Sequence, residues 1–297
     1  MAKERRSLGG KVVAITGGAR GIGKATAQAL IAKGCRVAIG DLQHELAKQT
    51  AAQLGGGTVA LPLDVTDRGS FARFLDEAER QLGPIDAVIN NAGIMPVTPF
   101  EEESEASVQR QIDINFGGVV TGTQLAIKRL RPRGSGYIVN IASQAGKSGI
   151  PGIATYSGTK HAVVGLSEAV RAELRDTGIE VLCVMPTVVN TELTSGVGQK
   201  WVKPVEAADV ANEIVAAMEV PRFDVFVPRA NGVLYKILGP LPRSWREALG
   251  RAMKIDKLMT EVDHGARRAY EERAAASEPG QQPVNESAPG SVHRDAA

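Results

Sequence analysis

Lys11-Val12-Val13-Ala14-Ile15-Thr16 runs directly into Gly17-Gly18-Ala19-Arg20-Gly21-Ile22-Gly23, and the reading of this stretch decides the fold. The first half is short, rich in Val and Ile and bounded by glycine, which is the signature of a buried strand. Glycines at 17, 21 and 23 permit a tight turn, so that backbone and the start of the next helix can approach a pyrophosphate. Many strand-to-helix turns need glycine for steric reasons alone. This one closes the first strand and opens the first helix, the context in which a dinucleotide is held.

Outward from that turn, similar apolar runs recur at 36–39, 58–61, 85–90, 136–141, 180–185 and 224–227. Helix-length segments lie between them at 21–33, 43–54, 67–82, 101–131, 152–176 and 204–219, with Pro204 placed for the first turn of the last. Alternation carried through seven strands predicts an α/β chain: a doubly wound, mostly parallel sheet covered by helices on both faces. The alternation stops near Arg229. Residues 1–228 are therefore expected to form the nucleotide-binding and catalytic domain, and 229–275 a basic, Pro-interrupted helical extension. Residues 276–297, which include SEPGQQPVNESAPGS, have little to bury and read as a disordered tail.

Composition narrows the function. The chain has 297 residues, of which 43% are hydrophobic, enough for a sizeable core. Thirty-five Lys and Arg against 33 Asp and Glu leave a formal charge of +2, too little to gather nucleic acid. Cys35 and Cys183 lie in apolar strands and are expected as buried, reduced thiols. Residues 1–10 are charged and no eighteen apolar residues follow one another, so a soluble cytoplasmic protein is expected. His44, His161, His264 and His293 lack ligand spacing; no metal is expected, and His161 is assigned a structural role.

Asp41 falls about twenty residues beyond the glycine turn, where a carboxylate takes both ribose hydroxyls of NAD and repels the 2′-phosphate of NADP. Arg20 pulls the other way, because a guanidinium in the turn can pair with that phosphate. One basic residue does not cancel the carboxylate, so NAD is favoured over NADP. Asp64 and Val65 follow the third strand; Asp64 either accepts from the adenine amine or serves as a turn cap.

Thr16 to Gly23, Asn90-Asn91-Ala92-Gly93, Asn115, Ser143 and Tyr156-Ser157-Gly158-Thr159-Lys160 together resemble the short-chain dehydrogenases/reductases, over roughly residues 8–230. The resemblance implies a Rossmann-type domain in which Gly17, Arg20, Gly21, Ile22, Gly23, Asp41, Asp64, Val65, Asn91, Ala92, Gly93, Val189 and Thr191 hold the cofactor. It also implies a catalytic tetrad of Asn115, Ser143, Tyr156 and Lys160, with Tyr156 and Lys160 serving the cofactor too. Asn115 would orient Lys160 through a water. Three residues separate Tyr156 from Lys160, unlike the wider spacing of enoyl-reducing relatives, so carbonyl/alcohol chemistry is implied. Thr187 stands where the family usually has glycine after Pro186, which limits backbone freedom at the cleft mouth. A homodimer or homotetramer built on the helices of 101–131 and 152–176 is implied by the resemblance alone.

The chemistry also follows from the residues. Tyr156 and Lys160 share a helix face. A phenol titrates near ~10, and a neighbouring ammonium together with the positive nicotinamide lowers that value. The phenolate can then take the alcohol proton as hydride leaves, and the phenol returns it in reverse. Ser143 donates to the substrate oxygen as charge develops there. Ile94, Met95, Pro96, Val97, Ile150, Pro151, Val188, Val189 and Leu193 are expected to line the cleft, which favours a hydrophobic alcohol or ketone over a sugar. Two other functions compete: a nucleotide-binding regulator without turnover, and a lipid-surface module working through the extension. In 229–259, Trp245, Ala248, Leu249, Ala252, Ile255 and Met259 form one helical stripe, opposite Arg246, Arg251, Lys254 and Lys257. That stripe is expected to dock as a lid or subunit contact, with a membrane surface as the lower-ranked partner.

Overall fold

The computed structural model describes residues 5–197, 203–252, 259 and 262–276. Its centre is a seven-stranded parallel sheet in the order β3-β2-β1-β4-β5-β6-β9. These strands are β1 (Val12–Thr16), β2 (Arg36–Asp41), β3 (Val59–Pro62), β4 (Ala87–Asn90), β5 (Gly136–Ile141), β6 (Ile179–Pro186) and β9 (Asp224–Val227). The expected seven strands and their parallel pairing are thus present. Strand order reverses between β1 and β4, and a crevice opens there at the carboxyl ends of the strands.

Side chains along each strand alternate between two cores. Val13, Ile15, Val37 and Ile39 pack under α1 (Gly21–Ile31), α2 (His44–Leu54) and α7 (Ala207–Glu219), while Val12, Ala14, Ala38 and Val88 pack under α3 (Arg68–Leu82) and α5 (Gly118–Leu130). Both faces of the sheet are covered, which is why its strands read as unbroken apolar runs. A buried polar chain ties the layers across the middle. Asn90 Nδ2 donates to Asn140 Oδ1 (2.8 Å), Asn140 Nδ2 to Ser167 Oγ (3.0 Å), and Ser167 Oγ to the Val163 carbonyl (2.7 Å). Gly122 of α5 makes room for it, since a Cβ there would collide with Asn90 Oδ1 and Phe71.

Several boundaries differ from the sequence reading. The segment expected as one helix over 101–131 is broken into a 3₁₀ turn (Phe100–Glu102), α4 (Glu105–Ile112), a π turn (Asp113–Gly117) and α5. Pro204 does not begin a helix. It precedes β8 (Val205–Glu206), which pairs with β7 (Val189–Asn190), and Glu206 then caps α7 in a reciprocal box with Asp209. Two-residue strands carry no periodicity, so sequence pattern cannot reveal them. Helix α6 spans Ala154–Glu173. Cys35 and Cys183 are both buried and unpaired. No described helix is long and apolar enough to cross a membrane.

The extension forms α8 (Arg229–Leu238), α9 (Arg243–Ala252) and α10 (His264–Ala276). Ala276, placed in the tail by sequence, ends α10, and the remainder of that expected tail lies outside the described residues. Helix α8 docks through Gly232 and a Tyr235 ring stacked on Phe226 at 5.5 Å. The predicted single apolar stripe is divided. Met259 is buried beside Ile153 and Tyr156, whereas Trp245 stays 66% exposed on α9. Lys254, Ile255 and Lys257 lie outside the described residues.

Candidate active site

One continuous cleft of about 1250 Å³ runs along the carboxyl edge of the sheet, from the glycine turn to α10. Gly17, Arg20, Gly21, Ile22, Asp41, Asp64, Val65, Asn91, Ala92, Gly93, Ser143, Tyr156, Lys160, Val189 and Thr191 all line it. Gly23 and Asn115, both expected at the site, do not. Gly23 instead lets α1 approach the turn, because a Cβ there would meet the Gly17 carbonyl. Asn90, the first residue of its motif, is buried in the polar chain through the core.

The dinucleotide end is shaped by close backbone approach. Gly17 has φ +63°, and a Cβ on it would sit 2.9 Å from Ala92 Cα. Arg20, at the N-cap of α1, makes no side-chain cap, and the first turn holds no acidic residue, so nothing from the helix itself opposes an anion. Asp41 Oδ2 accepts from Ala19 N (3.1 Å) and Oδ1 from Gln43 N (3.0 Å), which fixes the carboxylate at the rim. Burial nevertheless raises its pKa. Arg20 is already engaged: it donates to Glu192 Oε2 at 2.6 Å and to Gln43 Oε1. Asp64 Oδ1 accepts from Thr66 N (2.9 Å) and Thr66 Oγ1 (2.6 Å), a turn role beside its place in the cleft. These features fit a dinucleotide: a glycine cradle that a Cβ would fill, a helix start without acids, and a fixed carboxylate at the end of β2.

Four elements bring the tetrad together. The π turn aims Asn115 at the chain leaving β4, where Oδ1 accepts from Ile94 N and Nδ2 donates to Ile94 O, both at 2.8 Å. Ser143 leaves the end of β5, and its Oγ accepts from Ala145 N at 3.1 Å, keeping its proton for another oxygen. Ser143 is near enough to Tyr156 to draw the pKa of the phenol down. Lys160, one turn further along α6, is buried and donates from Nζ to the Ile141 carbonyl at 2.8 Å. Its Nζ lies 5.5 Å from the centre of the Tyr156 ring.

In the protein by itself the ammonium, one half of the charge expected to lower the phenol, does not do so. Burial pushes Tyr156 up to about 12, with Ser143 opposing, and Lys160 down to about 8. In the protein by itself both groups are driven toward neutrality. Added positive charge in the cleft is what would draw the phenol back toward the working range.

Of the apolar residues expected around the substrate end, Ile94, Met95, Ile150, Pro151, Val188, Val189 and Leu193 line the cleft, but Pro96 and Val97 do not. Val97 packs in the apolar cluster beneath it. Thr187 donates from its backbone N to Val227 O (2.9 Å). Asp176 is the one non-glycine residue with positive φ among those described, so threonine at 187 is unstrained. His161 also lines the cleft, its Nδ1 donating to the Ser157 carbonyl at 2.8 Å.

The comparisons agree with this geometry. The family model described as short chain dehydrogenase matches residues 11–201. The chain belongs to that family. Among curated relatives, it is 39% identical to a sorbitol dehydrogenase of Cereibacter sphaeroides over 195 residues, covering 65% of this chain and 76% of the relative. It is 35% identical to a 3-alpha-(or 20-beta)-hydroxysteroid dehydrogenase of Mycobacterium tuberculosis over 188 residues, 63% of this chain and 72% of that one. Among solved structures, a short-chain dehydrogenase/reductase from Burkholderia phymatum in complex with NAD superposes with TM-score 0.72 at 22% identity, covering 78% of this chain and 93% of that one. As a short-chain dehydrogenase, the protein is an oxidoreductase.

Sequence reasoning placed most of α10 in the helical extension of 229–275 but gave it no residue in the site. Its Arg267 is 0% exposed, and NH1 donates to the carbonyls of Leu193 (3.0 Å) and Ser195 (3.1 Å) and NH2 to that of Met95 (2.6 Å). Tyr270, Arg273 and Ala274 of the same helix line the cleft. An arginine in a helix made largely of Arg, Glu and Ala carries no signal of burial.

The sign of the Lys160 shift gives a pH test. Between pH about 8 and 10.5 the unfolded chain holds the lysine proton that the folded protein has released. Stability should therefore rise with pH across that window in the wild type relative to Lys160→Met. Denaturant unfolding of both proteins checks this, and curves that stay parallel would show that Lys160 is not desolvated.

Proposed function

We propose that this short-chain dehydrogenase is an NAD-dependent alcohol dehydrogenase, in reverse a ketone reductase, acting on an apolar substrate. The observation that carries the reading is the meeting of Ser143, Tyr156 and the buried Lys160 in the cleft that also holds the glycine turn, with Lys160 Nζ 5.5 Å from the Tyr156 ring centre. Bound NAD would supply the hydride acceptor, held by Gly17, Ile22, Asp41, Asn91, Ala92, Gly93, Val189 and Thr191. Tyr156 takes the alcohol proton as phenolate and returns it as phenol when the reaction reverses. Ser143 donates to the substrate oxygen as negative charge gathers there. Lys160 supplies positive charge below the phenol, and Asn115 fixes the wall of the pocket by gripping Ile94.

NAD is preferred over NADP because the Asp41 carboxylate is anchored at the rim, whereas Arg20 is occupied by Glu192 and Gln43. The structural neighbour binds NAD, which accords with this choice. The named relatives act on a polyol and on steroids, which are opposite in polarity. Met95, Val188, Leu193 and Met259 at the substrate end support the apolar side. Residues 1–228 are taken as the catalytic domain and 229–275 as its extension. Exposed Phe100 (65%) and Ile112 (40%), beside and on α4, support a homodimer or homotetramer.

A second role has its own observation. Val233, Ile237 and Trp245 are 60%, 64% and 66% exposed on α8 and α9, and Lys236 of α8 is exposed as well, while Arg246 and Arg251 line the cleft. Such a face suits an anionic membrane surface, reached alongside turnover rather than instead of it.

Three outcomes are expected. Tyr156→Phe should keep NAD affinity while kcat falls by ~10²-fold or more, measured by cofactor absorbance with a panel of secondary alcohols; retained turnover would remove Tyr156 from the mechanism. Wild type should show the higher kcat/KM with NAD, and Asp41→Ala should narrow the gap to NADP. A wild-type preference for NADP would reverse the cofactor assignment. The protein should float with phosphatidylglycerol vesicles and not with phosphatidylcholine vesicles, and Trp245→Ser should weaken flotation; equal recovery with both lipids would sink the membrane role.

A further inference from the structure

Helix α10 closes the substrate end of the cleft through two side chains. Arg267 ties the loop after β7 to the loop after β4 by its bonds to Leu193, Ser195 and Met95, and Glu271 accepts from its Nε at 2.7 Å. The guanidinium also lies over the Tyr270 ring, 4.8 Å from its centre. The Tyr270 hydroxyl accepts from Met95 N at 2.7 Å. Ring and oxygen are thus both fixed, by neighbours that are themselves fixed.

The phenol keeps one unspent capacity. Its own proton has no acceptor among the described residues, and the side chain lines the same cleft as Ser143 and Tyr156. The two phenols are close enough for charge on Tyr156 to raise the pKa of Tyr270. Met95, Ile153, Val188, Leu193 and Met259 give the same cleft an apolar side, alongside polar residues such as Gln144, Asn231 and Arg273. A donor with no partner is left unpaired by a hydrocarbon end and is satisfied by an acceptor oxygen. We propose that Tyr270 is a substrate-binding residue that donates to a second oxygen, remote from the reacting carbon, on an otherwise apolar skeleton, with Arg267 as its positioning residue. This rests on the alcohol/ketone reading above.

The test uses the full chain with NADH and matched cyclic ketones, on decalin and androstane skeletons, carrying one oxo group or two. Wild type should prefer the dioxo member of at least one pair. Tyr270→Phe should lower kcat/KM for that member about tenfold, chiefly through KM, and change the mono-oxo member far less, the scale of one lost hydrogen bond. Tyr270→Gln restores an acceptor for Met95 N and a donor for the ligand, and should recover part of the preference. Arg267→Lys keeps the charge but loses the fork, and should erode the same ratio in protein that still binds NADH. Equal losses on both members, or none, overturn the role of Tyr270. If Tyr270→Phe does not fold, Tyr270→Gln decides, since loss of preference there overturns it as well. Wild type that binds NADH yet reduces no ketone in the panel would instead refute the alcohol/ketone reading, and the inference with it.

Discussion

The Thr16 hydroxyl accepts the backbone N–H groups of Asn91 (2.9 Å) and Ala92 (3.0 Å), and the Asn91 side-chain amide donates back to the carbonyls of Thr16 (2.9 Å) and Gly17 (3.0 Å). These four bonds join the ends of β1 and β4 where the strand order reverses, at the point where an open sheet would otherwise splay. They hold the glycine turn and the Asn91-Ala92-Gly93 turn so close that only glycine fits at 17. The next residue along, Ile94, is gripped on both backbone atoms by Asn115. Cofactor end and catalytic end are thus connected through a short run of hydrogen-bonded backbone, each bond contributing about 1 kcal/mol net.

Two buried cations, Lys160 in the cleft and Arg267 outside its lining, illustrate how surroundings set chemistry. Arg267 has a carboxylate, three carbonyls and an aromatic face around it, so its charge is satisfied on every side. A guanidinium in that setting is a structural clasp, because its donors are spent on the groups around it. Among the described residues Lys160 has the Ile141 carbonyl alone at hydrogen-bond distance, and burial brings its pKa to about 8. An under-satisfied ammonium beside an under-ionised phenol is a pair whose protonation answers to whatever charge enters the cleft. That difference separates a residue that holds the wall from a pair whose charge can change.

The extension changes the character of the site more than its position in sequence would imply. Helix α10 and Met259 reach back across the cleft and complete its apolar wall, while α8 docks on Phe226 and α9 leaves Trp245 in solvent. The chain beyond the sheet therefore has two surfaces, one facing inward to substrate and one facing outward.

By itself the sequence determined the parallel sheet and the glycine turn, because these rest on local signals: apolar runs of strand length and glycines at a strand end. Ser143, Tyr156 and Lys160 stand out in it as candidates through the family resemblance of their motifs. Tertiary structure alone decided which motif residues face the cleft. Gly23 and Asn90 belong to the same local patterns as their neighbours, yet packing turns them into the core. The π turn at Asn115 arises from contact with the chain after β4, and β7 exists only because β8 comes beside it. Arg267 and Tyr270 lie more than a hundred residues from Tyr156 in a helix whose composition suggests solvent. Nothing short of the folded chain brings a distant arginine under three carbonyls, since burial of a charge depends on partners that sequence neighbours do not supply.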